Sequence, residues 1–144
     1  MAAPARIVAT LLVSTFAFGT AHALAQGDPN DRLGLGTKLG IQMMNQSAQV
    51  GSVTLFHRGA RTFVDVSVQG VPAGKVERVA IHRNRDCDQP IDPVAAFALT
   101  DLHAGRSRTL VNAGSAKLLS GNYSVIVASV EKSHHLFACG HLYR

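Results

Sequence analysis

Phe63-Val64-Asp65-Val66-Ser67-Val68-Gln69 is the stretch that decides the fold class. Valines at 64, 66 and 68 alternate with residues that tolerate solvent, which is the period of a strand with one buried face. The same rule extends outward. Upstream, Val53 and Leu55 alternate with Ser52 and Thr54, and Arg58-Gly59-Ala60 separates the two runs at hairpin distance. Downstream, Val71-Pro72-Ala73-Gly74 puts proline and glycine where a type I turn takes them, and a further strand is expected from Val76 to His82. A polar loop from Arg83 to Pro93 holds Cys87 and Pro90. Phe97-Ala98-Leu99 and Ser107 to Asn112 read as short strands on either side of His103-Ala104-Gly105-Arg106. Ser115 to Leu119 reads as one helical turn capped by Ser115, with Gly121 beyond it. Tyr123 to Val130 and Leu136 to Leu142 supply the last strands. Seven or eight short strands, with a turn about every ten residues, predict an all-β, antiparallel Greek-key sandwich or barrel.

The N-terminus has a different character. Arg6 precedes an apolar run from Ile7 to Phe18, and Gly19 to Ala25 offers small residues at cleavage spacing after Ala23 or Ala25. We read residues 1–25 as a secretory signal peptide, too short in its apolar core to be a membrane span. Residues 26–40 are rich in glycine and read as a flexible leader. The glycines from Gly34 to Gly40 lack phosphate-loop spacing, and no strand precedes them. Residues 41–144 then form one β domain, since roughly 119 residues after cleavage suffice for a single core. No later segment is long and apolar enough to cross a bilayer. The expected location is periplasmic or secreted.

Cys87 and Cys139 are the only cysteines. Two thiols in an oxidising compartment most simply form one disulfide, here tying the central loop to the last strand. Charge says less. Without Arg6, 13 lysines and arginines face 9 acidic residues. No basic run is interleaved with aromatics, which argues against a nucleic-acid partner. Arg83, Arg85, Arg106 and Arg108 are candidates for meeting an anionic envelope component.

Three segments, Val79-Ala80-Ile81-His82 followed by Cys87, Ser120-Gly121-Asn122-Tyr123, and Phe137-Ala138-Cys139-Gly140-His141-Leu142, come in a telling order. Together with the Pro72-Ala73-Gly74 turn, this order resembles the Cu/Zn superoxide dismutase-like sandwich and its short exported bacterial relatives, over Ile41 to Leu142. The resemblance implies a strand ending in His-x-His, a loop cysteine, and a partner cysteine in an Ala-Cys-Gly strand. It also implies a copper site, and there this chain departs from it. Ala80 stands at the first histidine of His-x-His, with His82 at the second, and Ala128 stands where a later copper ligand is expected. The loop that carries a bridging histidine and a zinc-binding aspartate in such enzymes is too short here. Methyl groups cannot coordinate copper, so the expected site is dismantled.

Among the remaining histidines, His134, His135 and His141 are, with His82, the metal candidates, but no closed ligand set has a recognised spacing. No serine sits on a Gly-x-Ser-x-Gly elbow. Asp86 and Asp88 read as part of a charge-balanced loop, and Met43-Met44 as packing residues rather than a thioether pair. The expected function is a non-catalytic exported module that binds a ligand or an envelope component, with no cofactor. The alternative is a divergent copper enzyme, or a copper- or zinc-binding periplasmic protein, using His82 with loop histidines.

Overall fold

The computed structural model describes residues 36–88, 90–132 and 135–143. The expected signal peptide, most of the leader and His134 lie outside the described residues. Nine strands and one short helix follow in chain order: β1 (Thr37–Met43), β2 (Val50–Arg58), β3 (Arg61–Gln69), β4 (Val76–His82), β5 (Ala95–Ala98), β6 (Leu102–His103), β7 (Arg106–Val111), α1 (Ser115–Leu118), β8 (Ser124–Ser129) and β9 (Leu136–His141). All pairings are antiparallel. Around the sheet the order is β4-β6-β7-β3-β2-β1-β9-β8, and pairing of β8 back onto β4 closes an eight-stranded barrel. β5 is the extra strand, continuing the edge of β4 that β6 begins. The chain crosses the barrel between β3 and β4, and again between β7 and β8, so the topology is a Greek key.

The alternation of Phe63 to Gln69 becomes the interior. Val53, Leu55, Val64, Val66 and Val68 are buried with Val79, Ile81, Val125 and Val127 from the opposite wall. Closure leaves few unpaired edges, which limits edge-to-edge association. The β2–β3 hairpin turns on Gly59 at φ 63°, and β6–β7 on Ala104 and Gly105, both with positive φ, as a two-residue hairpin of the primed kind requires.

Three local expectations need correction. The first strand starts at Thr37, inside the stretch read as leader, because residues 37–41 pair in register with β2. The turn before β4 runs one residue later than expected, with Lys75 N–H donating to Pro72 O at 3.1 Å and Gly74 at φ 74°. Positive φ at that third position is a type II arrangement and not type I. The helical cap is Gly114 without a side-chain bond, while Ser115 is the first helical residue and its hydroxyl meets His57 Nδ1 at 3.3 Å.

Candidate functional site beneath the disulfide loop

β8 departs from simple alternation: Ser124 to Ala128 are all buried. Val125 and Val127 face the barrel interior, whereas Ile126 and Ala128 face outward and are covered by other means. The cover is the loop between β4 and β5. Cys87 in that loop is bonded to Cys139 on β9, with Cα atoms 5.9 Å apart across a sequence separation of 52. Around the bridge, Ile126, Ala128 and Cys139 form a second apolar cluster with Met44, Ile91 and Leu136 packed against it.

Asn84 gives the loop its shape. It is buried, its Nδ2 donates to Pro90 O at 2.7 Å, and its Oδ1 accepts from Asp92 N–H at 2.9 Å. His141 holds the other side, its Nδ1 lying 3.1 Å from Arg85 O and 3.9 Å from Cys87 Sγ. The sequence marks neither role, because an asparagine in a polar loop has the same local appearance whether it braces or faces solvent.

The loop does not lie flat on the barrel. Between it and the outer face of β4 and β8 is a cleft of about 720 Å³. Ala80, Ile126 and Ala128 form its floor, with Ile91, Pro90 and Pro93 from the loop and Met44 and Leu136 opposite. The register explains how the two alanines share that floor. Ala80 pairs with Ile126 and Arg78 with Ala128, so the alanines are diagonal neighbours on one face. The volume falls within the range of small-molecule pockets, whose linings are mostly apolar with a few placed polar groups.

His82 is a polar group of this cleft with a defined orientation. Its Nδ1 lies 2.7 Å from Asp92 O. A carbonyl oxygen only accepts, so Nδ1 carries the hydrogen, and Nε2 of the neutral ring is left as an acceptor. Arg78 and Asp88 bring opposite formal charges to the lining, and Asp92 Oδ1 accepts from Val94 N–H at 2.9 Å.

The structure separates the other residues singled out from sequence. His135 lies beside Phe137 with the rings tilted and their centroids 5.1 Å apart, and lines a different cleft. His141 belongs to the loop anchorage. Among the described residues, no three His, Cys, Asp or Glu side chains gather as a metal site. The copper that the resemblance implies does not fit the residues present, because two methyl groups occupy the floor and, among the described residues, His82 is the single imidazole lining the cleft. Arg108 donates through Nε and Nη2 to Asp65 on the neighbouring strand, and the Arg85 guanidinium lies 5.9 Å from the Tyr143 ring centroid. Arg83 and Arg106 are exposed on the loop and on β7. The four arginines therefore fall on two elements, Arg83 and Arg85 on the loop after β4 and Arg106 and Arg108 on β7.

The second cleft, of about 420 Å³, contains a feature that pattern reading missed. Glu77 and Gln49 are 3% and 2% exposed, and Gln49 Nε2 donates to Glu77 Oε1 at 2.6 Å. Glu77 Oε2 and Gln49 Oε1 are buried without partners among the described residues. Desolvation pushes the Glu77 carboxyl above the usual carboxylate range, and the Gln49 bond offsets part of that rise.

No family model, curated protein or solved structure matches this chain. Among the described residues, no helix is long and apolar enough to cross a membrane.

Proposed function

We propose that this chain is an exported, non-catalytic relative of the Cu/Zn superoxide dismutase-like barrels, and that it binds a small molecule in the cleft on β4 and β8. One observation carries the reading. Ala80 and Ala128, the two positions at which the resemblance expects copper-binding imidazoles, lie together on the floor of an apolar cleft. A closed Greek-key barrel with a disulfide from the loop after β4 to the last strand is the architecture the resemblance implies. The disulfide also supports a periplasmic or secreted location, where such bonds persist. Contact with an anionic envelope component is the weaker reading, since the candidate arginines are split between the loop after β4 and β7, and Arg108 is already paired.

The test is turnover. Mature protein loaded with copper and then dialysed should show no dismutase rate above buffer, because one imidazole does not retain the metal against competing ligands. A rate that survives dialysis and vanishes in His82→Ala would overturn this reading in favour of the copper-enzyme alternative.

A further inference from the structure

We infer that the cleft takes a neutral, largely apolar molecule carrying one hydroxyl or N–H donor, and that Nε2 of His82 accepts that hydrogen; this rests on the binding reading above. Three observations carry the ligand class. The floor is alkyl, and Pro90, Ile91 and Pro93 make much of the loop wall apolar, so most of the ligand surface must be apolar to repay its desolvation. Arg78 offsets one of the two lining carboxylates, Asp88 and Asp92, and Asp92 Oδ1 already accepts from Val94 N–H, so the residual negative charge disfavours an anion and the apolar floor disfavours any ion. The bond from Nδ1–H to Asp92 O fixes both ring tautomer and orientation, leaving Nε2 as an acceptor with no partner among the described residues. An apolar molecule with a donor satisfies this acceptor, while an isostere without one leaves it desolvated and unpaired.

The experiment compares 2-naphthol with 2-methylnaphthalene, which has nearly the same shape but no donor. Both are titrated into the disulfide-intact mature protein and followed by the methyl NMR signals of Ala80 and Ala128. The expected result is one site for each compound, with 2-naphthol tighter by about five- to tenfold, the usual net value of a hydrogen bond. His82→Asn keeps a donor for Asp92 O but removes the distal acceptor, and should bring 2-naphthol down to the level of its isostere. His82→Gln, which places an oxygen near the former Nε2, should restore part of the difference. Equal binding of both compounds to the unmodified protein would overturn the donor assignment and leave the binding reading intact. Failure of both to perturb the alanine methyls would overturn the ligand class as a whole. Copper-dependent turnover lost in His82→Ala would instead overturn the binding reading itself.

Discussion

Glu77 occupies an inward position on β4, where the alternation with Val79 and Ile81 calls for an apolar side chain. Burial favours its neutral form, so its carboxyl in the folded chain titrates above its ordinary value. A raised folded pKa means that the folded state holds the proton more tightly than the unfolded state. The stabilisation is therefore complete below the unfolded value, near pH 4.5, and is lost as pH climbs through the folded value. Glu77→Gln has no proton to lose, so its advantage over the native chain should grow between pH 4.5 and 7.5. Urea unfolding of both proteins at the two pH values checks this, and a gap that does not change with pH would contradict it. Single residues were unevenly legible in the sequence. Ala80 and Ala128 stood out because a resemblance set an expectation for them, and they share one floor. Glu77 and Gln49 gave no signal, because their pairing joins positions 28 apart in the chain.

Strands were more legible than the loops between them, for a physical reason. A half-buried strand repeats every two residues, and Phe63 to Gln69 carries that repeat without interruption. β8 hid its second buried face, since a continuous apolar run does not reveal what covers its outer side. That cover is the loop after β4, whose path depends on long-range partners and on Asn84. Asn84→Ala would strand Pro90 O and Asp92 N–H without their present partners. Each becomes a desolvated polar group unless water enters, so a loss of about 1–3 kcal/mol is expected. The local readout is hydrogen exchange at the Asp92 amide, which should accelerate well beyond the shift in global unfolding. Unchanged exchange there would mean that the disulfide alone sets the shape of the loop.

The barrel and the cleft depend unequally on the bridge between Cys87 and Cys139. The barrel interior is closed by its own ladder from β4 to β8, and its valine and leucine core is a cluster separate from the one that holds the two cysteines. The outer cluster is built around the bridge: Cys139 is a member of it and Cys87 packs against it. Tying residues 52 apart restricts the unfolded chain, worth roughly 4 kcal/mol in the chain-entropy account. Set against the 5–15 kcal/mol typical of a domain, that is a large share of the total. Replacing both cysteines by alanine should thus lower unfolding free energy by about 2–5 kcal/mol, measured by urea denaturation. The loss should also be graded through the molecule. Amides of β2 and β3 should keep exchange protection in proportion to the remaining global stability, whereas those of the loop after β4 should lose it first. The Ala128 methyl should at the same time lose its contacts with the loop side chains. Uniform loss of protection across β2, β3 and the loop would show that the bridge supports the barrel and the cleft as one cooperative unit.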